Sequence, residues 1–271
     1  MSRPFWRLLI LAACLTLGAV PLRAEAPDPA PPRAAEAKDA LRAAAWEELE
    51  TGLLVLRAAS GRGLEMTALR IAPDRFSLSL ALQREPRGER VETIGPREDA
   101  VIAINGGFFG EREAGGDLFP VGLLRRGGRD QSRAWQRTGG FLVLSDGKVA
   151  IRPTSAGVGP RASDIIQSKP LIIAPGGKWV MNTNQHHLRR RSIVCLQADG
   201  TVVLFVIRRF GLSLYEAGWL MRAPEAGGFF DCHAALALDG GGSTQLWVAG
   251  HPELSFRGQT PVHNALVVKR R

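Results

Sequence analysis

From residue 53 onward the chain is a succession of short apolar or alternating runs, separated by Gly, Pro, Asp or charged residues, and this texture constrains the fold more than any other feature. Residues 53–58, 64–71, 76–82, 91–94, 101–104, 140–144, 148–151, 171–173, 191–197, 201–207, 234–238, 245–248 and 265–268 all read as strands. Asp146-Gly147 and Asp199-Gly200 are two-residue turn signals that join neighbouring runs as hairpins. Helical spacing occurs twice. Residues 39–50 place Leu41, Ala45, Trp46 and Leu49 on one face before a stop at Thr51-Gly52, and residues 213–221 carry a Leu214, Ala217, Trp219, Leu220 stripe behind Ser213 as N-cap. There is no internal repeat and no break in composition between 37 and 271. The expected architecture is one α+β domain built on a strand-rich mixed β-sheet with a few flanking helices.

The first residues follow a different grammar. Arg3 and Arg7 precede an apolar stretch over 8–20, and Leu22-Arg23-Ala24 leads into an acidic, Pro-rich segment, which predicts a secretory signal over 1–24 cleaved near Ala24. Leu11-Ala12-Ala13-Cys14 has the form of a lipoprotein box, but the apolar run continues through Leu15 to Val20, past the point where such a signal ends. The apolar stretch is too short for a stable membrane span. Residues 25–36 are rich in Ala and Pro and read as a tether, so the folded domain is expected over 37–271 and the protein is expected in the periplasm or outside the cell.

Charge narrows the partners. The full chain has a formal net charge of +9, and loss of Arg3, Arg7 and Arg23 with the signal leaves it basic at +6. No run combines Lys or Arg with stacking aromatics, and there is one Tyr, so nucleic acid is disfavoured while anionic glycans remain compatible. Cys195 and Cys232 remain once Cys14 is removed; they could form a disulfide or be buried packing residues. His186-His187 is the only histidine pair, and adjacent residues of a strand face opposite sides, so a surface loop is preferred to a metal site.

Two loops share one physical design. In Ala235-Leu236-Ala237-Leu238-Asp239-Gly240-Gly241-Gly242-Ser243-Thr244 and in Ile102-Ala103-Ile104-Asn105-Gly106-Gly107-Phe108-Phe109, an apolar strand ends in a hydrogen-bonding side chain and glycines follow. Glycines there permit backbone conformations closed to other residues and let a ligand approach the amides. No Gly-Lys-Ser/Thr follows, so this is not a nucleotide phosphate loop, and no Gly-x-Ser-x-Gly elbow is present. A capped hairpin turn at Asp239 and one wall of a binding pocket both fit these residues. The second loop of the same kind favours the pocket.

These segments, with Pro120-x-Gly122, Gln167-Ser168-x-Pro170-Leu171, Arg191-Ser192, Leu212-Ser213-Leu214-x-Glu216-Ala217 and Pro261-Val262-x-Asn264-Ala265-Leu266, resemble the phosphodiester glycosidase family in the family's own order, over most of residues 46–268. Lys169 departs from the glycine usual in the family's turn, and Arg190 to Cys195 replaces a Pro-Arg-Thr-Ala-Val-Gly pattern, so that bulkier Ile193 and Cys195 are expected to narrow the pocket.

The resemblance implies cleavage between a sugar's anomeric carbon and a phosphodiester oxygen in an envelope or extracellular glycan. Such a reaction needs a carboxylate at an oxocarbenium-like centre and donors for the departing phosphate. Asp239 is the expected catalytic carboxylate, and Glu216 the second, half-buried and suited to proton donation. Arg191 is the expected phosphate binder, with Asn105, Ser168 and Ser243 and the backbone amides of Gly106, Gly107, Gly240, Gly241 and Gly242 as further substrate contacts. No cofactor is required by this reading, although a divalent cation at Asp239 is compatible with it. The alternative, from another functional class, is a non-catalytic phosphoglycan- or polysaccharide-binding protein that assists exopolysaccharide or cell-wall assembly.

Overall fold

The computed structural model describes residues 29–61, 63–135, 138–159 and 162–271; the signal reading over 1–24 and Cys14 lie outside the described residues. The expected strand-rich α+β domain with few helices is present. Its strands are divided among several sheets rather than one mixed sheet, and every named ladder is antiparallel. The largest sheet has eight strands in the spatial order Trp46–Glu50, Leu53–Ala59, Glu65–Ile71, Val202–Leu212, Arg189–Leu196, Ala234–Ala237, Leu171–Ala174 and Lys178–Trp179. A four-stranded sheet runs Leu246–Val248, Ile102–Asn105, Asn264–Arg270, Phe76–Leu82. A five-stranded sheet is built around Gly140–Ser145.

Burial on both faces explains why so many runs are continuously apolar. Val55, Leu69, Val194, Leu204 and Leu236 of the large sheet meet Leu80, Ile102, Ile104 and Leu266 of the four-stranded sheet and Leu142 and Ile166 of the five-stranded sheet in one core. The alternate residues Leu56, Ala68, Ile193, Cys195 and Phe205 form a second core under two helices, contributed by Leu41 of one and Ala217 of the other. Cys195 and Cys232 are joined by a disulfide inside this second core. Ile193 and Cys195 are both fully buried there, so they fill the core and do not narrow a pocket.

Three sequence expectations are corrected. The first helix is Pro32–Ala43, so it begins inside the stretch read as a tether; Ala34, Ala37 and Leu41 are buried, which makes its Ala-rich face a packing surface. Residues 46–50 do not continue that helix. Trp46–Glu50 is an edge strand, paired with Leu53–Ala59 across a turn at Thr51-Gly52, where Gly52 has φ +86°. Residues 91–94 are the start of a helix, Val91–Arg97, rather than a strand. Val91 and Ile94, three residues apart, both point into a small core on the outer face of the four-stranded sheet. Gly95 is needed there because a Cβ would lie 2.2 Å from the Trp247 ring.

Candidate functional site

Strand Ala234–Ala237 is buried along its whole length and delivers Asp239 just beyond its end. Its ladder with Arg189–Leu196 sets Ile193 opposite Ala237, and Leu238 N continues it by donating to Ser192 O at 2.9 Å. The ladder ends there; the same register continued by two residues brings Arg191 level with Asp239. Directly opposed residues of an antiparallel pair share a face, so a continued register points the two side chains to the same side, and no ion pair joins them among the described residues. The Cys195–Cys232 disulfide ties the strand of Arg191 to the segment that enters the strand of Asp239.

The three glycines have separate reasons. Gly241 sits at φ +61°, a region disfavoured for residues with a Cβ. Gly240 lies against the Arg190 carbonyl, 3.0 Å from where a Cβ would be. Gly242 opens onto Gln259, whose amide donates to Gly242 O at 2.7 Å. The loop turns through a short 3-10 segment, Gly241–Ser243. Asp239 Oδ1 accepts from Gly240 N at 2.8 Å, and the Ser243 hydroxyl is the carboxylate's other partner. Burial raises the Asp239 pKa above the ordinary aspartate value; the Ser243 and Gly240 hydrogen bonds act against that rise.

Asn105 is placed beside Asp239, but its side chain is already employed. It is fully buried, its Nδ2 donates to Asp239 O at 2.7 Å, and its Oδ1 accepts from Ser192 Oγ at 2.7 Å and from Gln245 N at 3.3 Å. Asn105 is therefore a brace between the two loops rather than the expected sugar contact. The neighbouring amides are used as well. Gly106 N donates to Asn264 O at 2.9 Å, Gly107 N donates to Asn264 Oδ1 at 2.7 Å, and Gly240 N donates to Asp239. Close packing accounts for Gly106, because a Cβ there would come within 2.0 Å of Asn264 Oδ1. Asn264 and Gln245 thus organise the site, and sequence reasoning did not single them out. The only signal was Asn264's place in the last of the family-like segments.

Arg191 opens onto a cleft of about 520 Å³ whose lining includes Phe108, Lys169, His187, Arg189 and Ser213. Among the described residues three cations line it and no carboxylate does. Arg191 donates from Nη2 to His187 O at 2.6 Å, and its buried Nε has no partner among the described residues. Burial, aided by Arg189, lowers the Arg191 pKa to about 10, which leaves it charged at neutral pH. Lys169 lies 3.7 Å over the Trp135 ring, and Phe108 meets the same ring edge-on. Ser168 ends strand Asp164–Ser168 one residue before Lys169, and its buried hydroxyl also lacks a partner among the described residues.

Glu216 does not match the expected half-buried acid. It is 4 % exposed and completes a capping box: Ser213 N donates to Glu216 Oε2 at 2.7 Å and Glu216 N donates to Ser213 Oγ at 3.1 Å. Its helix instead presents Ser213, Leu214 and Tyr215 to the cleft. His186 and His187 are both exposed on a loop, as expected, and His187 also lines the cleft. Among the described residues no three His, Cys, Asp or Glu side chains converge as a metal site.

A family model described as phosphodiester glycosidase matches residues 98–269, which spans both glycine loops, Arg191 and the cleft. The chain belongs to the phosphodiester glycosidase family. Among solved structures, the fold is shared with the catalytic domain of zebrafish N-acetylglucosamine-1-phosphodiester alpha-N-acetylglucosaminidase, auto-inhibited by its pro-peptide, at 14% identity and a TM-score of 0.58, covering 81% of this chain and 82% of that one. A hypothetical protein from Synechocystis gives 16% identity and a TM-score of 0.58, with 84% of this chain matching 64% of that one; the chain thus spans under two thirds of that protein's length. A protein from Burkholderia pseudomallei K96243 gives 16% identity and a TM-score of 0.56, covering 76% of this chain and 74% of that one. No curated protein matches the sequence significantly. At these identities the solved structures establish the fold, while the family membership rests on the sequence model.

Proposed function

We propose that the protein is a hydrolase that cleaves the bond between a sugar's anomeric carbon and the oxygen of a phosphodiester in an envelope or extracellular glycan. The observation that carries this reading is a cleft lined by Arg189, Arg191 and Lys169 with no carboxylate among its described lining residues, while Asp239, outside that lining, follows the strand that pairs with the strand of Arg191. Such a lining favours a bound phosphate. Arg191 then holds the phosphate as it departs as a phosphomonoester, Asp239 supplies negative charge to the oxocarbenium-like centre, and water adds to the anomeric carbon and gives up its proton to solvent. Partial burial strengthens this electrostatic contact and raises the basicity of the carboxylate. A phosphate leaves readily, so the scheme needs no proton from Glu216, whose part is to fix Ser213 and the helix that borders the cleft.

Export is part of the proposal. It is supported by the signal grammar of residues 1–24 and by the Cys195–Cys232 disulfide, a bond that persists in oxidising compartments. No helix among the described residues is long and apolar enough to cross a membrane.

The direct test incubates the protein with a panel of sugar 1-phosphodiesters and identifies the products. Release of free sugar and a phosphomonoester supports the assignment. Release of sugar 1-phosphate means cleavage at phosphorus and a different reaction, and binding without any turnover supports the non-catalytic phosphoglycan binder.

A further inference from the structure

Arg190 and Arg191 are consecutive residues of one strand, so their side chains leave opposite faces. Arg191 serves the cleft described above, and a second cleft of about 590 Å³ opens on the Arg190 side, lined by Gly63, Glu65, Arg190, Arg208, Arg209, Phe256 and Arg257. Among the described residues, four guanidinium groups share this lining with a single carboxylate.

The backbone is shaped to bring them together. Arg191 pairs with Ile207 and Arg189 pairs with Leu212, so one residue, Arg190, is opposed by the four residues 208–211 of the neighbouring strand. That bulge aims Arg208 and Arg209 at the same mouth. Their side chains are held in place. Glu65 pairs with Arg209 at 2.7 Å and with Arg208 at 3.8 Å, and the Arg208 guanidinium lies 4.9 Å over the Phe256 ring. Arg257 is anchored by Glu92 at 3.2 Å. Arg190 is the exception, because its buried Nε has no acceptor among the described residues, and a buried donor left unpaired is costly.

We propose that this cleft is a second oxyanion site that takes a phosphate group. Fixed guanidinium forks around an unpaired one match the several oxygens of a phosphate better than a single point charge. Phe256 is the one aromatic residue in the described lining, and Arg208 lies over its ring while the ring packs against the core, so the chemistry favours a phosphorylated glycan over nucleic acid. Resting on the hydrolase reading, the same inference specifies the substrate: a polymer with more than one phosphodiester, gripped through a neighbouring phosphate at Arg190 while Asp239 and Arg191 act on another. The two sites are close in the chain, since the Arg190 carbonyl abuts Gly240 of the catalytic loop.

The test has two arms. In the first, inorganic phosphate is titrated into the intact protein and into Arg190→Gln, Arg208→Gln and Arg191→Gln, with binding followed by calorimetry. Two classes of site are expected in the parent; Arg190→Gln and Arg208→Gln each weaken one class about tenfold or more, and Arg191→Gln weakens the other. The class retained in each variant reports that it is folded. A single class in the parent, or two unchanged classes in both Arg190→Gln and Arg208→Gln, overturns the site. Stronger competition at this class by an oligogalacturonate than by phosphate overturns the phosphate assignment in favour of a carboxylate.

The second arm compares a diester carrying one phosphate with an oligomer carrying several. Arg190→Gln is expected to lower kcat/KM for the oligomer about tenfold more than for the short diester; an equal effect on both overturns the polymer assignment. If no diester of either length is cleaved, the hydrolase reading fails while the phosphate titration still reads the second site.

Discussion

Asn105 and Asp239 both close a buried strand, and both are followed by glycines, yet their side chains have opposite employment. The Asn105 carboxamide is enclosed and bonded to the Asp239 carbonyl, the Ser192 hydroxyl and the Gln245 amide. Among the described residues the Asp239 carboxylate is held by its own loop, through Gly240 and Ser243, and is partly desolvated. One loop is therefore scaffold, and the other holds the carboxylate to which the proposed reaction assigns its charge. A polar residue at the end of a buried strand can serve either way, and what decides is how many partners surround it.

The contrast can be broken from the scaffold side first. Asn105→Ala leaves the Asp239 carbonyl and the Ser192 hydroxyl without their partner, and is expected to cost roughly 2–4 kcal/mol of stability, read as a lower denaturant midpoint at unchanged m. A variant as stable as the parent would mean that Asn105 is not a brace. On the reactive side, Arg191→Gln is expected to raise KM for a glycosyl phosphodiester about 10- to 100-fold with little change in melting temperature. A change confined to kcat would place the guanidinium elsewhere than on the ground-state phosphate. Asn264→Ala removes the acceptor of Gly107 N and is expected to cost about 1–2 kcal/mol, with activity falling only as the loop loosens.

The smallest expected effect is in the pH profile. Burial raises the Asp239 pKa, so the acid limb of kcat/KM is expected above the ordinary aspartate range, with activity rising as the carboxylate ionises. The stability consequence has the opposite sign. A group whose folded pKa is raised contributes stability below its unfolded pKa, and that contribution is lost as pH rises through the folded value. Ionised Asp239 is thus a cost at neutral pH. At the alkaline end, activity is expected to fall as Arg191 titrates near about 10.

Much of this was legible in the sequence, and the failures have physical causes. Strand runs such as 53–58 and 234–238 could be read because the first is apolar but for Arg57 and follows Gly52, and the second is wholly apolar and ends at Asp239. The Ser213 N-cap was legible from residue type alone. Residues 91–94 were misread because four residues with apolar ends satisfy a strand and one helical turn equally, and only packing against Trp247 decides. Residues 46–50 were misread because Trp46 and Leu49 also fit helical spacing, while the turn at Gly52 and the Arg70 guanidinium 4.3 Å over the Trp46 ring favour an edge strand. In the site, Asp239 and Arg191 were singled out by the glycine loop and the strand they adjoin, and their chemical roles belong to the proposal above. Asn264 and Gln245 were missed because they act through side-chain bonds to backbone groups far away in the chain, which no local pattern encodes.

The central claim is that Asp239 is reagent and Asn105 is scaffold, and Asp239→Asn tests it most directly when hydrolysis and thermal unfolding are measured on the same sample. The expected result is a loss of glycosyl phosphodiester cleavage on the order of a thousandfold, with an unfolding midpoint equal to or above the parent's near neutral pH. Retained activity, or a midpoint lowered as far as by Asn105→Ala, would contradict it.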